Sequence, residues 1–473
     1  MAMLVLFVAL FVQLNYLQVV EAHKLATDPR NTRLATRDFA KPRGDIVSAD
    51  GTVLAHSVPT SDLYKRLRVY PTGKLFAHVV GYFSYTYGSD GVEKQYDAQL
   101  TGRAAGFQVP DLRNLFVQQD RSETVTLTLS NKLQQVAAAA LGNRRGAVVA
   151  LVPSTGAILA MWSYPSYDDG ALTGHNFKAV KKAWDANQAD PLHPMLARAF
   201  RDRFFPGSTF KLIDTAAVFD HQPDLATKVY PVLGSLPLPN TNHLTLNNFG
   251  GEKCGGTLPD LLRFSCNTGF AQVGLDLGAA NLSAEATAFG FDQRPPLDLS
   301  GAAISNFPPA SAFALDLPGL AKSAIGQQDV AASPLEMALV AGGLANGGVI
   351  MRPHVLQDVR DSEGKVVQTY QPQPWLTATS AATADLVKGL MIQVVQSGTG
   401  TAAQIKGVQV AGKTGTAQTG NNTVHTWFVA FAPADAPKVA VAVLVEDQPS
   451  SNDFTGGQVA APIAKQVLQA ALG

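Results

Sequence analysis

An excess of either charge is missing from this sequence: Lys plus Arg and Asp plus Glu number 37 each. The balance gives no reason to propose nucleic acid or another highly charged polymer as the main partner, although it leaves room for a local basic patch. Cysteine is scarce. Cys254 and Cys266 are the only two in 473 residues, which excludes a disulfide scaffold, and they lack the Cys/His spacing of a zinc site. His175, His193, His243 and His425 are too scattered for a metal cluster, so no metal and no cofactor is expected. Internal repeats and low-complexity tracts are also missing. Twelve residues apart, the two cysteines leave two readings open. In an oxidising exterior they close a ring worth roughly 3 kcal/mol; otherwise they are two reduced, buried thiols.

What is present, first, is length. The 473 residues exceed what one hydrophobic core usually organises, so two globular units plus an appendage are expected. The appendage is N-terminal: residues 2–20 carry no charge and are apolar apart from Gln13, Asn15 and Gln18, just long enough to span a bilayer. A cleaved signal peptide is the rival, because Val20-Glu21-Ala22 resembles a small-residue cleavage site, though the basic n-region is missing. Residues 1–22 are therefore read as a membrane anchor or signal segment. Either one puts the body of the chain outside the cytoplasm.

Behind a polar, Arg-rich tether, Asp50-Gly51 between two short β-rich runs predicts a hairpin. The aromatics from Tyr64 to Tyr87 read as core and strand packing of a small α+β module, not as a ligand platform. Residues 124–129 alternate as a half-buried strand, and Ser130 is placed to cap a helix reaching Leu141. Residues 146–161 read as strand, Pro-Ser-Thr-Gly turn, strand: a hairpin in the centre of a sheet, where the catalytic unit should start. Farther on, Ser333-Pro334 opens a helix that stops at Asn346-Gly347-Gly348. The last hundred residues predict strands from 407 into Lys413-Thr414-Gly415-Thr416, over 427–432 and over 439–445, with a closing helix over 458–472.

The chemistry is carried by Pro206-Gly207-Ser208-Thr209-Phe210-Lys211. Pro206 and Gly207 suit a helix start, so Ser208 and Lys211 share one helical face, and free backbone N–H groups meet the charge that develops on attack. A serine hydroxyl needs a neighbouring base, and a lysine serves only if burial or another cation pulls its pKa down. Lys413 is the candidate cation. Ser-x-x-Lys and Ser-x-Asn each occur roughly once by chance in a chain this long, but Lys-Thr-Gly-Thr only on the order of once in a hundred such chains. An acyl transfer needs a nucleophile, a base, an acid for the leaving amine and fixed dipoles at the oxyanion. Ser208 and Lys211 are candidates for the first two, and the free N–H groups at the helix start for the dipoles.

Ser208-x-x-Lys211, Ser265-x-Asn267 and Lys413-Thr414-Gly415, in that order, resemble the motif set shared by penicillin-binding proteins and serine β-lactamases. Arg43-Gly44-Asp45-Ile46, the hairpin over 146–161, Ile325-Gly326-Gln327, Ser333-Pro334-Leu335 and residues 427–433 are similar to class B penicillin-binding proteins, the monofunctional peptidoglycan D,D-transpeptidases. The short N-terminal module and residues 247–254 resemble most the actinobacterial penicillin-binding protein A group. The resemblance covers nearly everything after residue 40. It implies an α/β (α+β) fold: a transpeptidase domain over 143–473 of the penicillin-binding/serine β-lactamase type, with a central antiparallel sheet flanked by helices. A small α+β pedestal of the dimerisation type over 23–142 and an N-terminal transmembrane helix would precede it.

The resemblance further implies that Ser208 is acylated by the penultimate D-Ala of a peptidoglycan stem peptide, releasing terminal D-Ala. Lys211 would take the serine proton, and Ser265 would pass a proton to the leaving amine. Asn267 would bind Lys211 and the donor amide, and Lys413 would keep Lys211 neutral. Thr414 and Thr416, either side of Gly415, would hold the substrate carboxylate, and the N–H groups of Ser208 and Thr416 would form the oxyanion hole. Cys266 stands where many relatives have Ser or Asp, and its side chain is not expected in the chemistry. The implied partners are donor and acceptor stem peptides, β-lactam antibiotics, the membrane, and a glycosyltransferase or divisome protein on the pedestal, with a role in septal wall synthesis. Rival readings are a D-Ala-D-Ala carboxypeptidase or β-lactamase, and a non-catalytic, membrane-tethered penicillin sensor or division scaffold. Against a β-lactamase, no acidic motif between Ser265 and Lys413 offers a carboxylate to aim water.

Overall fold

The computed structural model describes residues 2–17, 36, 39–104, 121–420 and 422–473. Its organising layer is a five-stranded antiparallel sheet in the order Ala411–Gln418, Thr423–Ala432, Val439–Pro449, Gly146–Leu151, Ile158–Tyr164. Side chains alternate across it. Val441, Val443 and Val445 share one core with Val148, Phe428 and the helices Asn131–Leu141 and Ala461–Leu472. Ala440, Ala442 and Leu444 share the other with Val149, Trp427 and the helices Lys211–His221 and Pro334–Ala345. Both faces are covered, which is why these strands read as unbroken apolar runs. The helix Pro334–Ala345 is buried from Pro334 through Leu344 and starts where Ser333 Oγ accepts the Glu336 N–H at 3.0 Å.

The hairpin Gly146–Leu151/Ile158–Tyr164 sits at one end of the sheet, not in its centre as the sequence suggests, and Ile158–Tyr164 is an edge strand. That edge is covered by side-chain bonds: Thr128 Oγ1 donates to Ile158 O at 2.7 Å, and the Gln134 amide accepts from Met161 N at 2.9 Å while donating to Met161 O at 3.1 Å. A covered edge offers no template to another chain.

The second sheet has six strands in the order Val366–Thr369, Leu356–Arg360, Thr124–Leu127, Ile46–Val47, Val53–Pro59, Arg66–Val69. The Asp50-Gly51 hairpin joins its fourth and fifth strands, with Gly51 at φ 78°. Thr124–Leu127 is paired on both sides, and Thr126 and Thr128 are buried along with Val125 and Leu127. The half-buried reading of this strand is thereby corrected: Thr126 and Thr128 face protein, and only Thr124 at its start is partly exposed. Two of the six strands come from beyond residue 350, a pairing that no local pattern reveals.

Asp50 joins the two sheets. Its carboxylate accepts the N–H groups of Asn131 and Lys132 at 3.1 Å each, at the start of the helix Asn131–Leu141 that Ser130 caps through the Leu133 N–H at 3.3 Å. Burial works against that charge, but bonds from Ser48 and the two N–H groups outweigh it and hold the Asp50 pKa down to about 2. The helix packs on the five-stranded sheet and on Ala461–Leu472, so a division between residues 142 and 143 falls inside one core.

The six-stranded sheet also covers a buried ion cluster. Arg43 Nε and Arg68 Nε reach the two oxygens of Glu93 at 2.6 and 2.7 Å, with Tyr70 Oη donating at 3.1 Å. The aromatics nearby pack: Tyr70, Phe76 and Tyr82 are buried, and Phe83 stacks on Phe39 at 4.2 Å. At the N-terminus, Ala2–Asn15 is an apolar helix of 14 residues. Residues 18–35, with the cleavage-like Val20-Glu21-Ala22, lie outside the described residues, among which no helix is long and apolar enough to cross a membrane.

Candidate active site

Ser208 lies in the single 3-10 turn Gly207–Thr209 that leads into the helix Lys211–His221. Three contacts fix the turn. Gly207 N donates to Gly326 O at 2.9 Å, Trp427 Nε1 donates to Phe205 O at 2.9 Å, and Thr209 Oγ1 donates to Pro206 O at 2.8 Å. Gly326, at φ 69°, is glycine for cause: a Cβ there would stand 2.1 Å from Gly207 O. Gly415 of the strand Ala411–Gln418 presses on the same turn, where a Cβ would come within 2.9 Å of Pro206 O. The strand is an edge, so half of its backbone groups face away from its partner.

Two lysines converge on Ser265 from different elements. Lys211 Nζ donates to Ser265 O and to Asn267 Oδ1, both at 2.8 Å. Lys413 Nζ donates to Ser265 Oγ at 2.7 Å and to Thr414 O at 2.9 Å. Ser265 itself adopts φ 57°, a left-handed conformation rare for a residue with a side chain. Both lysines are fully buried. Burial brings Lys413 down to about 7. Burial and then the field of Lys413 put Lys211 well below the ordinary lysine value, against the opposing pull of Asp214. Both amines are thus pushed toward their neutral form, and Lys211 carries the added repulsion of the Lys413 ammonium.

Cys254 and Cys266 are joined by a disulfide, and this ties the short strand Cys254–Gly256 to the Ser265–Asn267 turn. Two clefts share Ser208 in their walls. The first, about 500 Å³, runs past Asn247, Gln327 and Gln418; the second, about 560 Å³, past Ser265, Thr399 and Thr414. Asn267 and Thr416 line both.

Comparison with known proteins matches residues 146–469 to the penicillin binding protein transpeptidase domain and residues 43–124 to the penicillin binding protein A dimerisation domain. The chain is 40% identical to peptidoglycan D,D-transpeptidase PbpA of Mycolicibacterium smegmatis, over 100% of this chain and 97% of the relative. The chain belongs to the class B penicillin-binding transpeptidases. PbpA of Mycobacterium tuberculosis is 37% identical, over 99% and 96% of the two chains. Among solved structures, the ceftriaxone acyl-enzyme complex of penicillin-binding protein A from M. tuberculosis superposes with a TM-score of 0.85 at 36% identity, covering 93% of this chain and all of the other.

In this class B transpeptidase the structure brings Ser208, Lys211, Ser265, Asn267, Lys413, Thr414, Gly415 and Thr416 to one place, from two helices, two turns and a strand. Reasoning from sequence missed the supports. Thr399 Oγ1 lies 2.6 Å from Thr414 Oγ1, and Gly456 N donates to Thr416 Oγ1 at 3.2 Å, fixing both threonine hydroxyls. Gly398-Thr399-Gly400, a turn after the helix Ala381–Ser397, was the available signal for Thr399. Asp214 was missed too. It is fully buried, neither carboxylate oxygen has a partner among the described residues, and burial raises its pKa well above the ordinary value.

Proposed function

We propose that the chain cross-links peptidoglycan stem peptides as a D,D-transpeptidase, through an acyl-Ser208 intermediate formed with release of D-Ala. The observation that carries this reading is the pair of acceptors on Lys211 Nζ. A neutral amine has two N–H groups, and Ser265 O and Asn267 Oδ1 occupy both. What is left on the nitrogen is its lone pair, the feature a base needs to take the Ser208 proton. On the other side, Lys413 donates into Ser265 Oγ, so the Ser265 proton is free to go to the leaving nitrogen. Thr414 and Thr416 hold the substrate carboxylate, and the backbone N–H groups of Ser208 and Thr416 bind the oxyanion. Each such donor is typically worth about 3 kcal/mol of barrier.

A carboxypeptidase or β-lactamase has the same first step but delivers water to the ester. Among the residues lining the two clefts the only carboxylate is Glu252, and it is exposed, not buried beside Ser208 as Lys211 is. The names borne by the M. smegmatis and M. tuberculosis relatives favour the transpeptidase. The residues 2–20, helical from Ala2 to Asn15, serve as a single-pass anchor that puts the catalytic part on the extracytoplasmic side. The N-terminal sheet is the place for a glycosyltransferase or divisome partner in septal wall synthesis. Intact-mass measurement after penicillin exposure tests the core of the reading. Wild type should gain one penicillin mass and keep it, and Ser208→Ala should gain none. Release of the adduct within seconds favours the β-lactamase, and an unlabelled wild type overturns the reading.

A further inference from the structure

The two clefts that meet at Ser208 carry single charges of opposite sign. Of the residues lining the first, only Lys322 is ionisable; of those lining the second, only Glu252 is, because Cys254 is in its disulfide. Lys211 and Lys413 lie buried beneath both. Glu252 is exposed, but its backbone is held. Its carbonyl accepts from Asn248 Nδ2 at 2.9 Å, and Asn248 Oδ1 accepts the Thr268 N–H at 2.9 Å. Two residues on, Cys254 is bonded to Cys266 within the turn that contains Ser265. The carboxylate is therefore carried by a backbone tied to the Ser265 turn, in the wall of a cleft otherwise made of hydroxyls, amides and apolar groups.

Acyl transfer says which ligand comes there. The acceptor amine attacks the same ester carbon that the leaving amine has quit, and by microscopic reversibility it enters along the path of departure. Thr414, taken to hold the carboxylate of the departing D-Ala, lines the second cleft and not the first. The acceptor therefore enters through the second cleft, past Glu252. At neutral pH an alkylamine arrives as an ammonium, which a lone carboxylate in an otherwise uncharged wall attracts.

We infer that Glu252 is a specificity-determining residue for the acceptor, receiving the ammonium on the side chain of a diamino acid in the acceptor peptide. This rests on the transpeptidase reading. The ammonium releases one proton to solvent, and the neutral amine then attacks the acyl-Ser208 carbonyl. A C–N bond forms, the C–Oγ bond breaks, and one N–H proton is returned through Lys211 to Ser208 Oγ.

The test loads the full chain from a D-alanyl thioester donor and partitions the acyl-enzyme between water and a lysine-containing dipeptide acceptor. In Glu252→Gln the ratio of aminolysis to hydrolysis at subsaturating acceptor should fall about threefold to fivefold through the acceptor KM, the upper range for an exposed ion pair. Glu252→Asp should recover part of the loss, and 0.5 M salt should shrink the gap between wild type and Glu252→Gln. Penicillin acylation of the same samples reports whether each variant is folded. A ratio unchanged in Glu252→Gln, with penicillin acylation intact, overturns the inference. A wild type that takes up neither donor nor penicillin sinks the transpeptidase reading, and the inference with it.

Discussion

Lys413 touches neither Ser208 nor Lys211 through a hydrogen bond in this structure, yet the state of Lys211 depends on it. Replacing it as Lys413→Met keeps the burial and removes the repelling ammonium, so the Lys211 pKa rises. With a higher pKa, less of Lys211 is neutral at any given pH. The acid limb of the penicillin acylation profile should therefore move to higher pH, and the rate at pH 7 should fall by roughly a hundredfold or more. Stopped-flow acylation across the pH range decides it; an acid limb at its wild-type position contradicts the field argument. The residues of this pair could be singled out from sequence because their spacing is local in one case and their tetrapeptide is rare in the other. Their meeting at Ser265 could not, because it needs a left-handed serine at φ 57° and a strand 148 positions away in sequence.

At the scale of elements, the parts read best were those fixed by neighbours in sequence. Ser130 and Ser333 cap the helices they precede, and Asp50-Gly51 turns its hairpin. Position within a sheet was read poorly, because an apolar run looks alike at the centre and at an edge once Thr128 and Gln134 cover that edge. The close contact of Gly326 with the nucleophile turn gives a sharper test of element packing. Gly326→Ala must push its Cβ against Gly207 O, 2.1 Å away, in a backbone conformation that alanine disfavours. It should destabilise the chain by about 2 to 3 kcal/mol and slow acylation more than a surface change of equal stability does. Thermal unfolding and acylation rates measured together separate the two effects. Full-rate acylation by Gly326→Ala would show that the contact does not set the Ser208 turn.

The whole molecule is tied together by segments that a linear division separates. The helix Asn131–Leu141 completes a core with Ala461–Leu472, and Leu356–Arg360 and Val366–Thr369 complete the sheet begun at Ile46. A chain begun at Gly146 keeps every catalytic side chain but leaves Leu356–Arg360 without Thr124–Leu127 and bares the apolar face under the missing helix. Such a chain should aggregate and bind less than about a tenth as much fluorescent penicillin as the full chain, in line with an exposed strand edge and core. Soluble recovery and labelling of the two chains in parallel check this, and equal labelling would show that the catalytic sheet stands alone.

That interlacing also sets a timetable. As the chain is made from its N-terminus, the sheet begun at Ile46 waits for residues 356–369 before its last two strands arrive. Until then Thr124–Leu127 has an open side, and roughly three-quarters of the polypeptide emerges before the gap can close. Newly made copies therefore need either rapid completion or a chaperone over that edge, and shortening the interval, as a circular permutation bringing 356–369 forward would, should raise the yield of folded enzyme.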